Sequence, residues 1–327
     1  MKRLLGICLF VFAGFLPTFS SPGLRFNANG KFKIVQFTDV HYVPGNDNSK
    51  VALQTILETI EAEHPDLVVF SGDVVTDKPA EQGWKTILGE LEQRSVPFCV
   101  VLGNHDDEQN LSRKEISDLV KKYEMNVNAR KDPPIKGVLN TVVEIKDAAN
   151  KKNSFLLYCF DSNAYPTDKR FKGYGWFTAD QIAWYRQMSA KYTRKNGRTP
   201  LPALAFFHIP LPEYREAFDQ KENKRVGSRN ESECSPELNS GMFAAMIESG
   251  DIIGTFVGHD HDNDYVVNAR GIALGYGRFT GGKTTYTHME NGARIIELTQ
   301  GERSFRTYVR LRSGEIKDDV CFPADFE

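Results

Sequence analysis

The sequence predicts an α/β fold, and three observations carry that expectation. From residue 31 onward, short apolar runs alternate with longer amphipathic ones in the order strand, helix, strand, helix. Of 327 residues, 40% are hydrophobic and 26% charged, a globular balance that excludes long disorder, a collagen-like chain and a coiled coil. No internal repeat, low-complexity run or Pro/Gly/Ser linker divides the chain, so residues 25–327 read as a single domain.

Taken in order, KFKIVQFTD reads as a buried strand. Residues 48–63 follow as a helix, with Leu53, Ile56, Leu57 and Ile60 at helical spacing. Strand DLVVFSGD, a helix over residues 84–93, strand PFCVVLGN and a helix over residues 112–123 complete a half whose alternation implies helical crossovers and parallel strands. The second half is richer in strands. TVVEIK, FLLYCFDS, ALAFFHIP and IIGTFVGHDH are joined by two helices, residues 178–192 and 240–249. Thr178 is the expected N-cap, and the preceding Tyr174-Gly175-Trp176-Phe177 reads as its hydrophobic lead-in, with a pocket lining as the alternative. Then come only strand-like runs: DYVVNA, GIALGYG, ARIIELT and FRTYVRLRS. The polar residues 220–239 read as a solvated loop, with the rim of a site as the alternative.

Residues 1–20 have the layout of a signal peptide: Lys2 and Arg3, an apolar stretch over residues 4–16, then the small Thr18 and Ser20. That stretch is shorter than the roughly 20 residues of a membrane span. The expectation is export to a periplasmic or extracellular compartment, with no stable membrane span after cleavage; an uncleaved, anchoring signal is the alternative. Beyond it, Cys99 and Cys159 lie in apolar runs and read as buried free thiols, while pairing of Cys234 with Cys321 stays open.

The strands share a feature that composition hides. KIVQFTD leads to Asp39-Val40-His41, LVVFSG to Asp73 and CVVLG to Asn104-His105-Asp106. AFF leads to His208 and TFVG to His259-Asp260-His261. Ligand sites of open α/β sheets form beyond the carboxyl ends of strands, so these residues can converge on one crevice. Five of the seven histidines belong to this set; His64 and His288 read as structural or exposed. Carboxylate, imidazole and amide oxygen without thiolate suit Mn, Fe, Zn or similar ions, not a Cys-rich structural zinc. A calcium cage would not use so much imidazole.

In that order and with no member missing, the pattern resembles the calcineurin-like metallophosphoesterases, whose motifs are D-x-H, G-D, G-N-H-D/E, a lone H and G-H-x-H. FKIVQFTDVHY, GHDHDND and GIALGYG are similar to the subgroup related to purple acid phosphatases, except that Thr76 stands where its metal-binding tyrosine would be. The resemblance implies a four-layer α/β/β/α sandwich of two mixed sheets flanked by helices. It implies two metal ions bridged by Asp73, one also held by Asp39, His41 and His261, the other by Asn104, His208 and His259. A water between ions about 3.5–4 Å apart would have its pKa lowered toward about 7 and attack a phosphoester in line as hydroxide. His105 is then the expected general acid, with Asp106 orienting its imidazole.

Arg278 is a candidate phosphate contact or a solvated loop residue, and Asp161 a crevice or turn residue. Asp260 is expected to point away from the metals. Two alternatives stay open: a catalytically silent metal-binding or regulatory protein of the same fold, and a nuclease. Against the nuclease, 41 Lys and Arg balance 43 Asp and Glu, so no nucleic-acid partner is expected.

Overall fold

Side-chain alternation along the strands decides the layering. The computed structural model describes residues 22–327; the leader expected at residues 1–20 lies outside the described residues. The first half runs β1 (Lys31–Phe37), α1 (Ser49–Glu63), β2 (Leu67–Ser71), α2 (Ala80–Gln93), β3 (Phe98–Val101), α3 (Arg113–Val120). The second continues β4 (Thr141–Lys146), β5 (Asn153–Cys159), α4 (Ala179–Lys195), β6 (Ala203–Phe206), α5 (Glu213–Asp219), β7 (Arg225–Val226), α6 (Met242–Ser249) and β8 (Ile252–Val257). Strands β9 (Val266–Ala269), β10 (Ile272–Tyr276), β11 (Gly292–Thr299), β12 (Phe305–Leu311) and β13 (Ile316–Phe322) follow.

These strands form two mixed sheets, ordered β13-β12-β11-β1-β2-β3 and β4-β5-β6-β8-β10-β9-β7. Because successive side chains point to opposite faces, each sheet feeds two cores. Ile34, Leu67, Val69 and Cys99 of the first sheet meet Leu157, Cys159, Phe206 and Phe256 of the second. Val35, Phe37, Val68 and Phe70 face α1 and α2, where Trp84 and Ile87 cover them. Leu156, Tyr158 and Leu274 pack under Tyr185 of α4 and Met246 of α6. The result is the expected four-layer α/β/β/α arrangement.

Polar clasps cross the sheet interface. Gln36 Nε2 donates to Ser71 Oγ (2.8 Å) and to the Val257 carbonyl (3.0 Å) of the other sheet. The buried Arg294 of β11 donates to the carbonyls of Tyr276 and Asp264. Cys99 and Cys159 are buried free thiols, their sulfurs 3.4 Å apart across the interface; Cys234 and Cys321 are exposed and unpaired. Among the described residues, no helix is long and apolar enough to cross a membrane.

Three elements escape the sequence patterns. Edge strand β13 carries Lys317, Asp318 and Asp319, which obscure its buried Val320 and Phe322. Helix α5 is two turns long and begins directly after Pro212. The two-residue β7 lies within the polar segment and pairs with β9 at Val266 and Val267.

Glu63 ties the last turn of α1 to the sheet beneath. It accepts from Lys33 Nζ (2.8 Å), the Tyr308 hydroxyl (2.7 Å) and Arg310 Nε. Burial disfavours its anion, but these donors outweigh burial and hold its pKa below the ordinary value of 4.5. Its stabilisation is therefore present above that value and fades as the pH falls through the lower folded-state pKa. Glu63→Gln is expected to cost about 1–3 kcal/mol at neutral pH, as charged hydrogen bonds do. In denaturant melts, the gap from wild type should close on acidification; a gap independent of pH would contradict this.

Candidate metal centre

The crevice lies where parallel strands of both sheets end. β1, β2 and β3 run parallel, as do β5, β6, β8 and β10, so their carboxyl-end loops meet at one rim. The turns that leave the strands are sharp. Asp39, His41, Asp73 and His259 all occupy left-handed backbone, with φ of 51°, 44°, 51° and 82°, a conformation that costs non-glycine residues on the order of 1–3 kcal/mol and concentrates at functional sites. Gly72 and Gly103 permit the close approach. A Cβ on Gly103 would lie 2.1 Å from Asp73 Oδ1, and one on Gly72 2.3 Å from His208 Nδ1.

Six of the seven predicted ligands come together in two adjoining groups. The ligand atoms of Asp39, His41 and His261 lie within 4.8 Å of one another, as do those of Asp73, His208 and His259. Asp73 faces both groups: its Oδ2 is 3.1 Å from His208 Nε2 and 3.9 Å from His41 Nε2. Asp39 Oδ1 is 3.6 Å from His261 Nε2 and 4.0 Å from His208 Nε2. Asn104 is fully buried and precedes His105, whose backbone N–H reaches Asp73 Oδ1.

The donor set fits metal ions. His208 Nδ1 donates to the Ser71 carbonyl (2.9 Å) and His261 Nδ1 to the Tyr286 carbonyl (2.8 Å). These bonds leave the Nε2 lone pairs of both rings turned into the crevice. His261 Nε2 lies 3.1 Å from His41 Nε2, and His259 Nε2 and Asn104 Oδ1 are buried without a hydrogen-bond partner among the described residues. Lone pairs gathered against two carboxylates require positive charge between them, and divalent cations supply it.

Electrostatics agree with the geometry. Burial lowers the pKa of His41 to about 3 and that of His259 well below its ordinary value, so both rings are held in the neutral, metal-ligating form. Burial disfavours the Asp73 anion, but the neighbouring His208 and His41 outweigh it and keep its pKa low. At His208 burial is overcome by Asp73 and Asp39, and the pKa is pushed up to about 9. The carboxylates thus demand a positive charge at that nitrogen.

His105 lies at the same rim, its ring centroid 5.7 Å from that of His41. Its backbone N–H donates to Asp73 Oδ1 (2.8 Å). Burial opposes its protonation, yet Asp73 and Glu108 prevail and raise its pKa. Asp106, expected to orient this imidazole, does something else. Its buried carboxylate accepts from the backbone N–H groups of Asp73, Val74, Val75 and Gly103 at 2.8–3.1 Å, which knots two strand-end loops together and leaves no acceptor for the ring. The His105 partner is Glu108, with Nδ1 to Oε2 at 2.5 Å.

Arg278 is neither a phosphate contact nor solvated: it is buried, paired with Asp264 at 2.5 Å and bonded to the Glu290 carbonyl at 2.7 Å. Asp161 is held by Arg113 at 2.6 Å. Asp260 accepts from the Tyr276 hydroxyl (2.6 Å) and the Cys234 N–H (3.1 Å), and its carboxylate also lies within 4.8 Å of the ligand atoms of His259 and Cys234. The polar 220–239 segment does reach the rim, where Glu231 accepts from the Tyr286 hydroxyl (2.9 Å). Of the exposed or structural pair, His288 is exposed against Asp262 and His64 closes α1 in left-handed backbone.

Sequence reasoning touched one member of the aromatic wall and missed the other two. Tyr174 sets its ring edge-on to His259 at 4.2 Å and stacks with Tyr165 at 6.0 Å, while Tyr286 stacks on His261 at 4.4 Å. The first was read as part of a helix lead-in, with a pocket lining as the alternative. Tyr165 and Tyr286 carry no periodic or motif signal, because loop packing alone brings them to the metals' side.

Comparison with known proteins accords with this geometry. The chain is 34% identical over 289 residues to probable inactive purple acid phosphatase 29 of Arabidopsis thaliana, a span of 78% of this chain and 73% of that protein. It is 31% identical over 320 residues to phosphatase DCR2 of Saccharomyces cerevisiae, 86% of this chain and 54% of that one. A solved dimetal phosphatase from Danio rerio superposes with a TM-score of 0.62 at 15% identity, covering 89% of this chain and 98% of its own, a likeness of fold. The profile of the calcineurin-like phosphoesterases matches residues 32–263. That span opens in the first strand and closes two residues beyond His261, so it contains every side chain of the cluster, and the chain belongs to the calcineurin-like phosphoesterase family.

Proposed function

We propose that the protein is a dinuclear metal-dependent phosphoric ester hydrolase. The observation that carries this reading is the donor set: Asp73, His208 and His259 gathered within 4.8 Å beside a second such group of Asp39, His41 and His261, with a buried Asn104 Oδ1 that has no partner among the described residues. Asp39, His41 and His261 would hold one ion, Asn104, His208 and His259 the other, and Asp73 both. Bound there, the ions supply Lewis-acid charge for phosphate oxygens and lower the pKa of a water. Their identity is drawn from Mn, Fe, Zn and similar ions, which this imidazole-carboxylate set accepts.

The chain's own residues do the rest. Asp39 and Asp73 fix the charge balance of the crevice. His105, its Nδ1 engaged by Glu108, holds a proton on Nε2 for the departing alkoxide. We also propose that the chain is exported, on the strength of the leader pattern at residues 1–20. Metal analysis of purified protein, followed by a panel of phosphomonoesters, diesters and nucleotides, tests the function. About two ions per chain with turnover of at least one ester class is expected. Metal bound with no turnover on any member would instead support the silent metal-binding alternative.

A further inference from the structure

Beside the cluster runs a chain of three hydrogen bonds whose polarity is fixed at one end. His105 Nδ1 lies 2.5 Å from Glu108 Oε2. The Tyr165 hydroxyl donates to the other carboxylate oxygen, Oε1, at 2.6 Å. Asn104 Nδ2 donates to the Tyr165 oxygen at 3.3 Å. An ionised carboxylate only accepts hydrogen bonds. Glu108 therefore obliges Tyr165 to give its single proton away and to offer Asn104 a lone pair. Asn104 must answer with its NH₂ group, and its Oδ1, buried and without a partner among the described residues, is left free to act as a ligand. The same carboxylate obliges His105 to keep its Nδ1 proton, so that Nε2 is the nitrogen available at the rim.

We propose that Glu108 is a positioning residue for both halves of the centre: through Tyr165 it orients the Asn104 amide as an oxygen ligand, and directly it orients the His105 imidazole. The ligand and acid roles of Asn104 and His105 are those of the function proposed above, and the inference rests on that reading. Glu108 and Tyr165 lie on the loops after β3 and β5, not on the strand ends that carry the metal-group residues. Both are partly solvent-exposed, with Tyr165 47% exposed and the Glu108 side chain 38% exposed, so their replacement leaves the core intact. A carboxylate that holds the partner groups of a metal ligand raises metal affinity by about 10–100-fold in comparable sites.

Two variants separate the branches. Glu108→Gln removes the fixed acceptor from both, whereas Tyr165→Phe cuts only the Asn104 branch and leaves the His105 contact in place. Metal affinity is read by competition with a chromophoric chelator, using Mn²⁺ and Zn²⁺. The His105 ring proton is read by NMR of metal-free, imidazole-labelled protein, where a short Nδ1–H···O bond gives a far-downfield resonance. Hydrolysis is compared between an activated aryl phosphate and an alkyl phosphate with a poor leaving group.

Both variants are expected to weaken one of the two metal equivalents by about 10–100-fold. Only Glu108→Gln should lose the downfield proton and slow the alkyl ester at least about tenfold more than the aryl ester. Unchanged metal affinity in both variants, or a retained downfield proton in Glu108→Gln, would overturn the proposal. If wild-type protein loaded with metal hydrolyses neither ester, the functional reading fails, while chelator competition and NMR still decide the positioning role. Thermal melts within a few degrees of wild type exclude misfolding as the cause.

Discussion

Asp73→Asn is expected to leave the fold standing and to remove the metal pair. The carboxamide keeps an oxygen for the His105 backbone N–H that Asp73 Oδ1 now accepts at 2.8 Å, and it matches the aspartate in size. It lacks the charge. In the wild-type protein that carboxylate faces His208 Nε2 at 3.1 Å and His41 Nε2 at 3.9 Å, a closer approach to the second group than the 4.0 Å of Asp39 Oδ1 from His208 Nε2. Hydrolysis of an aryl phosphate should fall by on the order of 10³-fold or more, about 4 kcal/mol at the transition state. Bound metal should drop below one ion per chain. His208→Ala should act in the same direction through one group alone. Metal content and hydrolysis both unchanged in the two proteins would sink the assignment of this cluster as the reactive centre.

His105→Ala is expected to discriminate between substrates. An alkyl ester leaves as a strongly basic alkoxide and needs a proton in the transition state, whereas an activated aryl leaving group does not. Loss of a positioned general acid costs about 10²–10⁴-fold where the proton is needed. The alkyl ester should therefore slow by that amount and the activated ester by less than about tenfold. Rates measured at saturating metal for a series of leaving groups provide the test. An equal loss across the series would assign His105 to substrate contact and not to proton transfer.

Much of the centre was legible in the sequence, for a physical reason. Each metal-group residue lies within four residues of a strand end, so identifying the strands as apolar runs located the side chains without any knowledge of packing. KFKIVQF was likewise legible as a buried strand and LVVFS as a strand, and the latter is buried at every position. The failures have the opposite character. Asp106 looked like an orienting carboxylate because it follows His105, but adjacent residues on a turn point in different directions, and its carboxylate turns inward to backbone amides. Glu108, three positions further on, returns to the imidazole. Arg278 read as a phosphate contact or a solvated loop residue and is instead buried and neutralised by Asp264. Tyr165 and Tyr286 arrive from loops whose paths depend on everything beneath them. Strand β13 was hidden because an edge position exposes one face and the sequence there is charged.

The Asp106 knot bears on what it takes to receive an ion. Four backbone amides from two strand ends converge on one buried carboxylate, so the span between Asp73 and Asn104 is set by the folded chain itself. The conformational freedom that ion capture would otherwise have to extinguish is already lost on folding. An ion arriving there would meet donors whose spacing the fold has already set. The centre is a socket formed in advance, not a clasp that shuts around its cargo.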